Sequence, residues 1–271
     1  MTDDLRLLSV LAHPDDESLG MGGTLVRYGR EGVATHIITA TRGERGRFGE
    51  AKVRPPADVV GQTREEELRR AARCLGVHDV RFLGYLDGEL DSVDPREATA
   101  AIAGHIRRVR PQVVVTFGPE GAYGHPDHIA ISQFTTAAIV LAAGADFNAD
   151  GPAGSSPWQV SKLYYKEWSR AKWAAYQAAL KDLKIVVDDV ERRASPWPDW
   201  AITTRFDASE HWPTVWKAVQ CHKTQMSIYR KLEHLPEEHH RAIWGTQEFY
   251  RVFSAVNGGR RTETDLFEGL R

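Results

Sequence analysis

The sequence predicts an α/β fold, a doubly wound and mostly parallel sheet with helices on both faces. Three observations predict it. Apolar, β-branched segments alternate with amphipathic helical patterns through the first 143 residues. The first of these segments stops abruptly at a polar triplet, as a strand buried on both faces does. The composition, 42% hydrophobic and 27% charged over 271 residues, excludes disordered, collagen-like and coiled-coil chains.

Residues 5–12 (LRLLSVLA) read as the first buried strand, and residues 22–30 as a helix stopped by Gly32. The β-branched run 33–41 (VATHIITAT) is the second strand. Thr63 with Glu66 three residues later reads as a capping box, and Leu68, Ala71, Ala72 and Leu75 carry the helical stripe up to Gly76. A short strand at 80–83 follows. Asp94, Pro95 and Glu97 then open a helix whose stripe is Ala98, Ile102, Ile106 and Val109. Residues 113–117 (VVVTF) form a further buried strand. This β-α order implies right-handed crossovers and a Rossmann-like sheet.

Beyond Ala143 the pattern loosens. Residues 144–157 read as a loop or lid, and residues 42–62 as a second loop bearing on substrate choice. Residues 162–167 and 202–206 read as strands, and Val215, Val219, His222 and Met226 share one helical face. No composition shift marks a boundary. One domain over 1–271 is expected, its part from about 158 onward completing the cleft.

A net charge of -2 offers no pull toward nucleic acid or an anionic membrane surface. The apolar run near 137–143 is far shorter than the roughly 20 residues of a membrane span. An acidic start argues against a signal peptide, and Cys74 with Cys221 suits a reducing compartment better than a disulfide framework. A cytoplasmic protein is expected, with homo-oligomers allowed.

The chemistry sits in a repeated triplet, His13-Pro14-Asp15 and His125-Pro126-Asp127. Chance gives two copies at well under about one in a hundred. Each follows a predicted buried strand, and ligands of open α/β sheets bind beyond the carboxyl ends of the strands. The triplets extend to Asp16-Glu17 and to His128. Two imidazoles and one carboxylate with an open fourth position make a catalytic zinc set, whereas a closed structural site commonly uses cysteine. A further carboxylate suits a general base, and a further histidine suits oxyanion and leaving-group work. These arguments leave open which of Asp15 and Asp16, and which of His125 and His128, holds metal.

Gly20, Gly22 and Gly23 invite a nucleotide-binding reading, but Leu25 stands where the third glycine belongs, and nearby acids would repel a pyrophosphate. His234, His239 and His240 read as a solvated stretch.

The stretches Ala12-His13-Pro14-Asp15-Asp16-Glu17 and Gly124-His125-Pro126-Asp127-His128 together resemble the LmbE/PIG-L family of zinc-dependent sugar de-N-acetylases. Cys221-His222-Lys223-Thr224-Gln225 is more weakly similar to a family His-x-Ser/Thr-Gln motif. The resemblance implies that His13, Asp16 and His128 bind Zn2+, with Fe2+ as the alternative ion. Asp15 is then the general base, and His125 the protonated partner of the intermediate and leaving amine, positioned by Asp127. Tyr123 helps polarise the amide carbonyl. Arg64, Asp87, Glu44 and His222 face the sugar. The implied activity is removal of an N-acetyl group from an N-acetylglucosamine-type sugar by zinc-activated water. The small amino-sugar substrate is soluble and not membrane-borne. An amidase for thiol or antibiotic conjugates and a metal-free sugar- or nucleotide-binding module are the alternatives.

Overall fold

The computed structural model describes residues 4–147, 156–180, 185–187 and 190–271. In chain order the parallel half comprises β1 (Arg6–Leu11), α1 (Asp16–Arg30), β2 (Ala34–Thr41), α2 (Ala57–Leu75), β3 (Asp79–Tyr85), α3 (Pro95–Val109) and β4 (Val113–Phe117). A single turn, α4 (Gly121–Gly124), leads into α5 (Pro126–Ala143) and β5 (Lys162–Lys166). Next come α6 (Arg170–Leu180), a small hairpin of β6 (Ile185–Val187) and β7 (Val190–Arg192), and β8 (Thr204–Asp207). The short helices α7 (Trp212–Val219), α8 (Met226–Glu233) and α9 (Glu237–Trp244) precede β9 (Thr246–Ser254).

The main sheet has seven strands in the order β3-β2-β1-β4-β5-β9-β8. Its first five strands are parallel, and β9 and β8 extend it antiparallel. Strand order reverses between β1 and β4, which opens a crevice at their carboxyl ends. Helix α1 packs with α2 and α7, and α3 packs with α5. Residues 7–11 and 113–117 are buried without a break, because both sheet faces are covered.

Several boundaries differ from the sequence expectation. Helix α1 begins at Asp16, six residues before Gly22, so Gly20, Gly22 and Gly23 all lie inside it. They are retained by crowding: a Cβ on Gly22 would come within 2.8 Å of Val215, and one on Gly23 equally close to Gln247. Helix α2 begins at Ala57 and takes in the end of the expected 42–62 loop. Thr63 is therefore no cap; its hydroxyl donates to the Val59 carbonyl 2.8 Å away. The face drawn through Val215, Val219, His222 and Met226 is not one helix, since α7 ends at Val219 and α8 starts at Met226. His240 is buried, its ring stacked between Trp212 and Trp244, whereas His234 is exposed as expected.

Other elements stand where the pattern put them. Asp94 caps α3 by accepting from the Arg96 amide at 2.8 Å, with Pro95 at the first helical position. Residues 148–155 of the expected 144–157 lid lie outside the described residues. The Cys74 and Cys221 thiols are free, their sulfurs 3.8 Å apart. Among the described residues no helix is long and apolar enough to cross a membrane.

Candidate metal centre and active site

Both triplets sit at the crevice that the sheet order creates. The first follows β1 directly, and the second follows β4 through the α4 turn. Pro126 occupies the first turn of α5, where a missing N–H costs nothing. His125 caps that helix, its Nδ1 accepting from the Asp127 amide at 3.1 Å. With Nδ1 occupied as an acceptor, the neutral ring carries its hydrogen on Nε2.

His13 lies at the centre of the cluster. Its Nε2 is 3.1 Å from Asp87 Oδ1 and 3.0 Å from Asp127 Oδ2, so that nitrogen carries a proton. The Nδ1 lone pair then faces His128 Nε2 at 3.2 Å and Asp16 Oδ2 at 3.8 Å. Asp16 Oδ1 is 3.5 Å from His128 Nε2. Tetrahedral coordination with bonds of about 2.0–2.1 Å places ligand atoms about 3.3 Å apart. The spacing and donor set of His13, Asp16 and His128 therefore fit a small divalent cation. A second grouping, His13 with His125 and Asp127, is as compact. Asp127, however, already accepts from the Gly88 and Leu90 amides at 2.8 and 3.1 Å as well as from His13, so it has little left to offer an ion.

Burial and neighbouring charges set the protonation of each member of the first grouping. Burial, with the nearby Asp15 charge, lifts the Asp16 carboxyl to about 6 despite the opposing pull of His13. Burial and the neighbouring His13 and His125 rings hold His128 well below the ordinary histidine value, which keeps it a neutral ligand. Burial would lower His13 too, but Asp127, Asp87 and Asp16 outweigh it and hold a proton there well above the usual range. Lys166, at the end of β5, adds positive charge beside Asp16.

Asp15 stands one residue from the metal set, with φ 113° and ψ −23°. Its Oδ2 accepts from Arg64 Nη2 at 3.2 Å and from the Tyr229 hydroxyl at 2.9 Å. Arg64, 4% exposed, also donates to the Gly43 and Pro14 carbonyls, which ties together the loops after β1 and β2. Asp87 Oδ2 accepts from the Arg45 amide, and Glu44 accepts from the Asp87 amide. Tyr123 sits in the α4 turn with its ring edge-on to His125 and His128, and burial beside Asp16 and Asp15 holds its hydroxyl protonated.

Each residue expected near the site lies in this cluster or against it, though several side chains have partners other than those expected. Asp127 bonds His13 through its carboxylate and reaches His125 only through its backbone. Burial and the charge on His13 push His125 down to about 4, so it is neutral here at pH 7, not protonated. His222 is fully buried, with Nε2 2.7 Å from Glu17 Oε1. That hydrogen bond occupies Nε2.

Residues 8–139 match the family model described as GlcNAc-PI de-N-acetylase, PIG-L. A 1D-myo-inositol 2-acetamido-2-deoxy-alpha-D-glucopyranoside deacetylase from Kineococcus radiotolerans is 36% identical, covering 98% of this chain and 83% of its own length. The chain belongs to the PIG-L family. A deacetylase of the same description from Streptomyces avermitilis is 34% identical over 98% of both chains. Among solved structures, a conserved protein from Thermus thermophilus superimposes with a TM-score of 0.67 at 27% identity, covering 94% of this chain and 97% of that one.

Sequence reasoning missed Tyr229, Glu17 and Lys166 as members of the site. Tyr229 had no signal, because only the packing of α8 brings it to Asp15. Glu17 was visible as the last acid of the first motif. Glu167 went unnoticed as well: burial and the adjacent Glu120 lift it to about 10, so it is a neutral acid beside Lys166 at pH 7.

Proposed function

We propose that this chain is a metal-dependent N-deacetylase of N-acetylglucosaminides, with 1D-myo-inositol 2-acetamido-2-deoxy-alpha-D-glucopyranoside as the first substrate to test. The observation that carries the reading is the meeting of His13, Asp16 and His128 at ligand spacing, with the Asp15 carboxylate beside them. The names of the full-length relatives support the substrate class.

Zinc, or ferrous iron, held by His13, Asp16 and His128 would supply an acidified water and a Lewis acid for the amide carbonyl. Asp15 takes the proton of the attacking water. Arg64 and Tyr229 hold its Oδ2, which leaves the second oxygen as the base. His125 donates a hydrogen bond from Nε2 to the carbonyl oxygen as it gains charge, and the proton that Asp15 took from the water passes to the departing amine. Asp127 holds the His13 ring so that Nδ1 stays free as a ligand atom. Tyr123 contributes a second donor at the carbonyl. We assign Arg64, Asp87 and Glu44 to the sugar-facing wall as a hydrogen-bonded set, and His222 to support behind it.

In this reading residues 1–271 act as one unit, with the part from about 158 onward supplying Lys166, His222 and Tyr229. The enzyme is cytoplasmic and acts on a small soluble amino sugar, with no nucleic-acid or membrane partner. A panel of N-acetylated sugars and glycosides, assayed for free amine and acetate, tests the proposal. Release from the N-acetylglucosaminide should stop with a chelator and return with zinc or iron. Chelator-insensitive turnover, or no release by metal-replete protein, would reject it.

A further inference from the structure

Asp15 adopts a backbone conformation that an aspartate rarely takes unaided. Its φ of 113° lies in the region that favours glycine. Holding a non-glycine residue there costs about 1–3 kcal/mol unless the surroundings over-determine it. The Asp15 carbonyl accepts from the Ser18 and Leu19 amides of the first α1 turn. Its amide donates to Glu17 Oε2 at 2.9 Å.

Glu17 is fully buried, and its other oxygen meets His222 Nε2 at 2.7 Å and the Ser18 hydroxyl at 2.5 Å. The two side chains are both fully buried, and their 2.7 Å contact pairs donor with acceptor. A carboxylate sealed from water needs such a partner, or it would take up a proton. His222 arrives from a chain segment 205 residues away, so the pair also pins the turn after α7 against the α1 start.

We propose that Glu17 and His222 are positioning residues for the Asp15 carboxylate: His222 fixes Glu17, and Glu17 holds the Asp15 peptide in the strained conformation that aims its carboxylate at the metal centre. If the N–H anchor is lost, Asp15 relaxes toward negative φ. Its Cβ then swings away, and Arg64 and Tyr229 lose their acceptor. This inference rests on the assignment of Asp15 as the base.

The experiment compares His222→Phe, His222→Gln and Glu17→Gln with the parent enzyme on the N-acetylglucosaminide, together with metal content and melting temperature. A strain of about 1–3 kcal/mol corresponds to a roughly 5- to 150-fold deficit of the aligned conformer. His222→Phe should lower kcat by that factor, with KM and metal content held. His222→Gln, which restores a donor to Glu17, should recover most of the loss. A crystal structure of His222→Phe should show Asp15 at negative φ. Folded, metal-replete His222→Phe with parental kcat would overturn the proposal, even if its melting temperature fell.

Should His222→Phe not fold, Glu17→Gln decides. The carboxylate accepts at both ends while an amide accepts at only one, so kcat should fall at least about threefold; an unchanged kcat would again overturn the proposal. The Asp15→Asn variant separates the two levels. If Asp15→Asn keeps its rate, the base assignment has failed. If it is dead while the Glu17 and His222 variants are unimpaired, only the positioning role has failed.

Discussion

Replacing Asp15 with asparagine removes one charge while leaving the hydrogen-bond geometry nearly intact. The Asp15 Oδ2 accepts from Arg64 at 3.2 Å and from Tyr229 at 2.9 Å, and an asparagine carbonyl oxygen satisfies both donors. The amide nitrogen is thereby forced into the place of the free oxygen, where a base is needed and a donor is useless. A positioned general base contributes about 10²–10⁴ in rate, or about 3–5 kcal/mol of barrier. Arg64 loses its nearby charge but keeps two backbone carbonyls, so stability should fall by only about 1–3 kcal/mol. His13, Asp16 and His128 are untouched, and metal analysis should give parental occupancy. Turnover measured by amine release should drop by about 10²–10⁴, with kcat and kcat/KM falling together. Parental kcat at full metal loading, or loss of the metal, would refute the reasoning.

His128→Ala should lose the ion itself, with metal content after desalting falling to background and activity not restored at ordinary zinc concentrations. Tyr229→Phe removes one of two donors to Asp15 and should lower kcat by about 3- to 10-fold with little change in metal content, read in the same amine assay. The Glu263 carboxylate is buried, yet Lys162, Asn257, Thr204 and Tyr164 outweigh burial and hold it near 2. Its contribution is present above the unfolded value near 4.5 and disappears as the pH falls toward 2. A carboxyl held that far below its unfolded value contributes about 3 kcal/mol. Glu263→Gln should flatten the stability–pH curve over that window in urea titrations, and an unchanged acid limb would contradict the assignment.

The parallel half of the fold was legible because its signals are local. Buried strands such as 113–117 are apolar runs, and Asp94-Pro95 is a cap followed by a residue that only a first turn tolerates. The candidate metal cluster was legible as two triplets, each following a strand, although the residues alone left its ligands open. The sequence reading started the first helix at Gly22, whereas α1 begins at Asp16, and Gly20, Gly22 and Gly23 inside it admit the approach of Lys166, Val215 and Gln247. Thr63 looked like a cap because a capping box is a four-residue pattern that also occurs by chance inside a helix. The sharing of Asp15 between Arg64 and Tyr229, and of Glu17 between Asp15 and His222, joins segments separated by up to 214 residues. No periodicity encodes contacts of that kind.

One carboxylate constrains how the mouth of the crevice can be altered. Asp127 accepts from the Gly88 amide with Oδ2, the oxygen that also steadies the His13 ring, and from the Leu90 amide with Oδ1. The short connector after β3 is therefore mechanically linked to the orientation of an imidazole in the candidate metal cluster. Lengthening or shortening residues 86–90 to admit a bulkier aglycone would twist that ring as well as widen the doorway. Engineers seeking new specificity would do better to begin at a connector with no thread running back to His13.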